Sequence, residues 1–234
     1  MKSPHFKEYG MDINTCLEEC KRIAQITEKY ASCCSMFDEM SVLVTDKMFG
    51  TGGEGCHRGY YCPSKIIDIV TNVKRGRTMR KQPSALAYIY GFDSSGRLIT
   101  VETSHSREFM IYKHGKELGI TFNNRFGDIS TISESVYDEA GRIKLYSLYV
   151  CNGMQHSVVD FTREIYTYST DQLLVDSYRF SNSKREPILG HTRYVFQVQN
   201  DILLSYTCEE YKDGNRIPSA WDGHIFNVNL ERKI

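Results

Sequence analysis

With 234 residues, the chain is long enough to bury a substantial core as one large domain or two small ones. Its 29 Lys and Arg balance its 29 Asp and Glu, which excludes a net field that would attract nucleic acid or an anionic membrane from a distance. No apolar run approaches the roughly 20 residues that span a bilayer, and the N-terminus lacks the apolar core of a signal peptide. We therefore expect a cytoplasmic protein that has neither nucleic acid nor membrane as a partner. Its eight cysteines are expected to be mostly reduced, buried thiols.

The first predicted element is an amphipathic helix from about residue 14 to residue 37. Thr15 and Glu18 have the spacing of a capping box at its start. Apolar residues recur at helical spacing along this segment, and charged residues occupy the positions between them. The apolar stripe requires a partner, because a single amphipathic helix is only marginally stable in water.

A short strand is predicted at residues 41–45, then a glycine-rich loop at residues 49–59, then a second helix from Ser64 to about residue 74. Gly50–Gly55 matches the dinucleotide-binding pattern Gly-x-Gly-x-x-Gly. That site needs its last glycine to open a helix, and here residues 56–63 intervene. The glycines therefore predict a flexible loop rather than a phosphate site.

Hairpins are predicted from about residue 84 onward. In the clearest one, Leu86–Thr103, β-branched and aromatic residues flank a turn at Asp93–Gly96. A last strand is predicted near His224–Leu230. Further turns are predicted at His114-Gly115, Asp138–Gly141, Ser169–Asp171, Asn200-Asp201 and Lys212–Asn215.

The predicted fold class is therefore α+β, with N-terminal helices followed by a large twisted antiparallel β-meander sheet. Residues 1–84 are assigned to a helical N-terminal region that contains the glycine-rich loop. Residues 85–234 are assigned to the β-meander. We expect the two regions to pack together as one unit.

Two of the predicted turns carry a recurring motif. Tyr90–Leu98 reads Tyr-Gly-Phe-Asp-Ser-Ser-Gly-Arg-Leu, and Val136–Ile143 reads Val-Tyr-Asp-Glu-Ala-Gly-Arg-Ile. Both resemble the YD-repeat motif of the Rhs family, aromatic–Asp–x–x–Gly–Arg–Leu, and Tyr168–Leu173 keeps a trace of it. The resemblance covers roughly residues 86–180 and implies an antiparallel sheet of successive hairpins. It does not imply the toxin-encapsulating shell of that family, which takes far more repeats, and the spacing of the copies disfavours a regular solenoid.

One group of side chains near the glycine-rich loop is a candidate ligand or metal site: Glu54, Cys56, His57 and Cys62. Cys-His-x4-Cys supplies three soft ligands but lacks the Cys-x2-Cys pair that is typical of structural zinc. Buried core thiols explain the cysteines equally well. We predict no metal and no cofactor here.

Elsewhere, Glu102 and Glu108 bracket His105, a set that could perform acid–base chemistry. They fall at a predicted hairpin connection, where charged side chains are ordinary. His191 and His224 are isolated in sequence and are interpreted as structural or surface residues. No catalytic residue is assigned.

The favoured interpretation is a non-enzymatic protein-binding protein. An antiparallel sheet with helices on one face can leave its other face open, and a tyrosine-rich face suits protein recognition. A site-poor cytosolic protein built from YD-like hairpins is similar to immunity proteins that neutralise Rhs-type toxins. The expected partner is therefore another protein, either a toxin or an assembly partner. The predicted binding residues are Tyr146, Tyr149, Tyr166, Tyr168, Tyr178 and Trp221.

Two alternatives stay open. The chain could be an enzyme or small-ligand-binding domain whose site lies between the glycine-rich loop and the sheet, with the loop as a mobile lid. It could also be a structural subunit whose sheet edge pairs with a neighbour.

Overall fold

The computed structural model describes residues 10–71, 73–182 and 186–228. Within these ranges there are three α-helices, α1 (Ile13–Tyr30), α2 (Met36–Val42) and α3 (Ile67–Val70), and two 3₁₀ turns, Gly59–Tyr61 and Gly153–Gln155. The strands are β1 (Asp46–Thr51), β2 (Arg77–Met79), β3 (Tyr88–Phe92), β4 (Leu98–Glu102), β5 (Ser106–Lys113), β6 (Lys116–Asn123), β7 (Ile129–Tyr137), β8 (Ile143–Asn152), β9 (Ser157–Tyr168), β10 (Gln172–Ser181), β11 (Ile188–Gln199), β12 (Ile202–Lys212), β13 (Asn215–Ile217) and β14 (Phe226–Asn227).

All these strands belong to one open antiparallel sheet, in the order β13-β12-β11-β10-β9-β8-β7-β6-β5-β4-β3-β1-β2, with β14 paired to β12. From β3 to β13 each strand pairs with its neighbours in the chain. The predicted antiparallel meander is thus confirmed, and the fold is mainly β with few helices. The N-terminal region also contributes to this sheet, because β1 lies between β3 and β2.

The two YD-like segments form hairpin turns with the same geometry. Asp93 accepts hydrogen bonds from the backbone N–H groups of Ser95 and Arg97 through Oδ1, at 2.9 and 3.0 Å. Asp138 accepts equivalent bonds from Ala140 and Arg142 at 3.0 and 2.8 Å. In both turns the arginine Nε donates to the other carboxylate oxygen of the aspartate. The motif therefore acts as a local turn-forming unit, and both predicted reversals are observed.

The remaining predicted reversals are also observed. They connect β5 to β6, β9 to β10, β11 to β12 and β12 to β13. The last predicted strand is confirmed in part as β14, while Leu230 lies outside the described residues.

The N-terminal predictions need three corrections. The long helix ends at Tyr30, and α2 begins separately at Met36, because the intervening Cys and Ser residues are weak helix formers and adopt turns. The N-cap is Asp12, whose Oδ1 accepts from the Thr15 N–H at 2.7 Å, and not Thr15. The strand predicted at residues 41–45 begins only at Asp46, since α2 continues to Val42.

The second predicted helix is also shorter than expected. Ser64 Oγ accepts from the Ile67 N–H at 3.1 Å, as a capping side chain does. The helix α3 nevertheless covers only Ile67–Val70. Thr71 then leaves helical geometry, with φ −123° and ψ 166°.

The two faces of the sheet are covered by different parts of the N-terminal region. Tyr149 and Phe161 lie on the face against which α1 packs, which we call the helix face. Tyr146 and Tyr166 lie on the opposite face, which we call the loop face. That face is covered by residues 52–76, of which the structure describes all but residue 72, and we call this stretch the plug segment. Because the sheet is buried on both faces here, consecutive residues of a strand are buried on alternate faces.

Candidate functional site

The glycine-rich stretch is a closely packed part of the fold. Its first residues, up to Thr51, belong to β1, and the rest opens the plug segment. Gly53 and Gly59 have positive φ values of 87° and 54°. A Cβ atom on Gly59 would lie 2.6 Å from Cε2 of Tyr88, and one on Gly53 would lie 2.4 Å from the Arg75 carbonyl oxygen. The predicted flexible loop is therefore replaced by a segment whose glycines permit close approach to the sheet.

The plug segment inserts Arg58 into the loop face. Arg58 has a left-handed backbone, with φ 60°, and its side chain is only 2% exposed. Its guanidinium donates to Glu108 Oε1 at 2.9 and 2.7 Å, to Ser133 Oγ at 2.9 Å, and to Glu117 Oε1. Gly119 makes room for it, because a Cβ there would lie 2.1 Å from Nη2. We call Arg58, His57, Glu108, Glu117 and Ser133 the buried arginine cluster.

His57 completes this cluster. Its Nδ1 lies 2.9 Å from the Tyr146 hydroxyl, and its Nε2 lies 3.3 Å from Glu108 Oε1 without the alignment of a hydrogen bond. Burial alone would raise the pKa of Glu108, but Arg58 and His57 hold it well below its usual range. Glu108 is therefore ionised at neutral pH and serves as a counter-ion. It cannot act as an acid toward a substrate.

The cluster is enclosed by its own side chains. Glu108 and Glu117 have side-chain exposures of 4% and 7%, and the Tyr137 hydroxyl donates to Glu117 at 3.3 Å. The predicted acid–base set is not assembled, since His105 is exposed in a turn and Glu102 lies 3.6 Å from Arg107. The burial of these charges between the plug segment and the sheet supports a structural role for them.

A second polar group fastens the C-terminal half of the plug segment. Ser64 Oγ donates to Glu164 Oε1 at 2.9 Å, and the Tyr166 hydroxyl donates to Glu164 Oε2. Burial raises the pKa of Glu164. Arg75 donates to Asp68 at 2.9 Å and to the carbonyl oxygen of Cys62 at 2.5 Å, which fastens the end of the segment to its middle.

The structure brings together only part of the candidate ligand set. Cys56 and Cys62 are buried next to each other, but Glu54 is exposed, and both ring nitrogens of His57 face Tyr146 and Glu108. Among the described residues there is no group of three or more His, Cys, Asp or Glu side chains arranged to hold a metal ion.

The predicted tyrosine surface also needs correction. Tyr149 and Tyr178 are buried on the helix face, and Tyr146 and Tyr166 are buried on the loop face. They lie on opposite sides of the sheet and cannot present one exposed binding face. Tyr168 is half-buried beneath the Arg142 guanidinium, which lies 4.5 Å from the ring centroid. Trp221 is the exception, with 50% of its surface exposed.

A patch that the sequence did not predict lies on the helix face of the last strands. The His191 ring stacks between Tyr178 and Tyr211, with centroids 4.3 and 4.8 Å away. Its Nε2 lies 2.8 Å from Asp176 Oδ1, and Arg193 donates to both oxygens of that carboxylate, at 2.9 and 3.0 Å. His191 and Arg193 hold the pKa of Asp176 below its usual range despite burial. The sequence does not reveal the register between β10, β11 and β12, and this register is what places His191 between Tyr178 and Tyr211.

The patch continues to the sheet edge. The Tyr211 hydroxyl donates to Glu209 at 2.7 Å. Arg216 lies 3.4 Å from Glu209 and donates to Asp222 at 3.1 Å. Trp221 follows, with its ring centroid 5.8 Å from that of Phe226 and 6.1 Å from that of His224. Phe226 stacks on Tyr206, a residue of the loop-face cluster, at 4.9 Å, so Trp221 lies across the sheet edge from His191. We call the set that runs from the helix face to this edge the C-terminal patch: Asp176, His191, Arg193, Glu209, Tyr211, Arg216, Trp221 and Asp222.

Across residues 10–71, 73–182 and 186–228, no helix has the length and apolar character needed to cross a membrane. Comparison of the chain with protein-family models, with curated proteins and with solved structures found no match.

Proposed function

We propose that the chain is a non-enzymatic protein-binding protein and that it recognises its partner through the C-terminal patch. The observation that supports this most is the incomplete cover of the last strands. α1 packs on β7 and β9, and α2 packs on β4 and β5. Most residues of β12 are only half-buried. The end of the sheet formed by β11, β12 and β13 therefore offers a broad surface beyond the helices.

The chemistry of the patch suits a protein partner. Tyr, Trp and Arg are enriched at the centres of protein interfaces and among the residues that contribute most to affinity. Here Arg193 and Arg216 are held in place by carboxylates, and His191 is fixed between two rings. Ordering before binding lowers the entropic cost of association.

We further propose that the partner is a toxin and that the protein acts as its cytoplasmic immunity protein. This proposal depends on the likeness of the two aspartate turns to the YD-repeat motif. The alternative partner is another subunit of a larger assembly. The mainly antiparallel sheet is compatible with both.

Site-specific photo-crosslinking in the cells from which the gene comes tests the binding surface. A benzophenone amino acid placed at Trp221 or Tyr211 should give one adduct of defined mass. The matched control is Phe126, which is 68% exposed and lies in the β6–β7 connection. Adducts that form equally from Phe126, or no adduct from either patch position, would contradict the proposal.

The captured partner then allows a quantitative measurement. Truncation of an interface hot spot costs about 2 kcal/mol or more, which corresponds to roughly 30-fold in Kd. We expect Trp221→Ala to weaken binding by at least this factor in calorimetry, with Phe126→Ala unchanged. Growth rescue on co-expression with the captured partner separates a toxin from an assembly subunit.

A further inference from the structure

Two thiols of the plug segment, those of Cys56 and Cys62, lie side by side and take no part in the C-terminal patch. Consecutive turns bring their backbones together, because Gly59 N donates to Cys56 O at 2.9 Å and Cys62 N donates to Gly59 O at 3.2 Å. The two residues are 3% and 7% exposed. The Cys56 thiol donates to the Lys74 carbonyl oxygen at 3.8 Å, and the Cys62 side chain is its direct neighbour.

The packing around this pair is tight. Gly53 and Gly55 approach Arg75 and Val73 so closely that a Cβ atom would clash in each case. The Cys56 carbonyl oxygen accepts from the buried Tyr88 hydroxyl at 3.4 Å. The fold therefore holds the short loop that carries both cysteines in a fixed shape.

We propose that Cys56 and Cys62 form a redox-modification site, which closes into an intramolecular disulfide when the plug segment opens to a small-molecule disulfide such as oxidised glutathione. The thiolate of one cysteine attacks the small disulfide, forming a mixed disulfide and releasing one thiolate. The thiolate of the second cysteine then attacks the protein sulfur of that mixed disulfide and releases the other half. The two protein thiols lose two electrons and two protons, and the small disulfide is reduced to two thiols.

Opening of the plug segment controls the rate of this thiol–disulfide exchange. In the closed segment, the adjacent Cys56 side chain and burial raise the pKa of Cys62 well above its usual range, so its reactive thiolate is scarce. Arg75 acts in the opposite direction, because its positive charge favours the Cys62 thiolate. Once the sulfur atoms reach solvent, the burial penalty is lost.

The bond would span His57 and Arg58, which insert into the buried arginine cluster. A disulfide across residues 56–62 restricts the open form of this loop more than the closed form, in which the thiols already meet. Oxidation should therefore slow exchange of the amide hydrogens between these two cysteines. The plug segment would thus become more rigid under oxidising conditions.

The test treats the folded full-length chain with oxidised glutathione at pH 8, with and without urea below the unfolding transition, and maps disulfides by mass spectrometry after alkylation. We expect a Cys56–Cys62 link that forms faster in urea. The link should persist in a Cys33→Ser/Cys34→Ser variant, and Cys56→Ser should stop at a Cys62 glutathione adduct. Circular dichroism checks that each variant keeps its sheet.

Three outcomes would overturn the proposal. The first is absence of the link while the sheet remains folded in urea. The second is accumulation of the mixed disulfide in the unsubstituted chain without closure. The third is equal linkage of Cys16 with Cys20, which are also buried and adjacent on α1.

Discussion

Replacing Arg58 by Met should destabilise the protein more than any exposed arginine would. The substitution keeps a side chain of similar length but removes the charge that Glu108 and Glu117 face. Two carboxylates would then lie buried without their cation. Removing one partner of a buried ion pair costs about 3–5 kcal/mol. For a chain of this size, each kcal/mol lowers Tm by roughly 2–4 °C, so we expect a decrease of about 6–20 °C.

The pH dependence gives a second prediction for the same variant. The pKa of Glu108 is lowered in the folded state, so its stabilising contribution is present above the unfolded value near ~4.3 and is lost as pH falls through the folded value. In Arg58→Met this contribution is absent at every pH. The difference in unfolding free energy from the unsubstituted chain should therefore be largest at neutral pH and shrink below about pH 4.

Urea denaturation followed by circular dichroism at several pH values measures both effects. Arg107→Met is the matched control, because Arg107 precedes Glu108 on β5, is 47% exposed and lies 3.6 Å from Glu102. An exposed pair of this kind contributes less than about 1 kcal/mol. If Arg58→Met and Arg107→Met lose the same free energy of unfolding, or if the loss for Arg58→Met does not vary with pH, the assignment of Arg58 as a buried counter-ion is refuted.

Three further substitutions test other parts of the fold. Gly59→Ala should lower the free energy of unfolding by about 2–5 kcal/mol, because the new methyl group adds overpacking to backbone strain. Gly96→Ala, which adds only the strain, should lower it by about 1–2 kcal/mol. Equal losses for the two variants in urea titration would contradict the close packing of the plug segment. Asp138→Ala should lower Tm in calorimetry because the turn loses its carboxylate acceptor, and Glu139→Ala beside it should not; the reverse order would be inconsistent with the turn geometry. Glu164, whose pKa is raised, should make the chain less stable as pH rises from about 4.3 through its folded value, and Glu164→Gln should remove this decline; an unchanged pH profile would show that Glu164 is not the group responsible.

The hairpins could be predicted from sequence because each depends on residues close together in the chain. Asp138 and Gly141 fix their own reversal through hydrogen bonds that span at most four residues. The β6–β7 and β8–β9 connections were not predicted. In the latter, a 3₁₀ turn at Gly153–Gln155 replaces a short Asp-Gly or Asn-Gly turn.

The buried arginine cluster could not be predicted, because Glu108 and Glu117 lie 50 and 59 positions after Arg58 in the chain and meet it only in the folded sheet. A glycine-rich sequence has the same composition whether it is mobile or closely packed, and only the neighbours of Gly59 decide between them. The tyrosines were misplaced for a related reason. Burial of both sheet faces removes the alternation of polar and apolar positions that identifies an exposed face.

Pairing of strands in chain order has a consequence for synthesis of the protein. Each hairpin can form soon after its second strand leaves the ribosome, so the sheet can grow strand by strand. The helix α1 cannot follow this order, because its Arg22 bonds to Glu134, 112 positions later, and its apolar stripe packs on β9, which emerges later still. The helix α1 is translated before the sheet but covered late, and a nascent chain that stalls before β9 would present that stripe to chaperones.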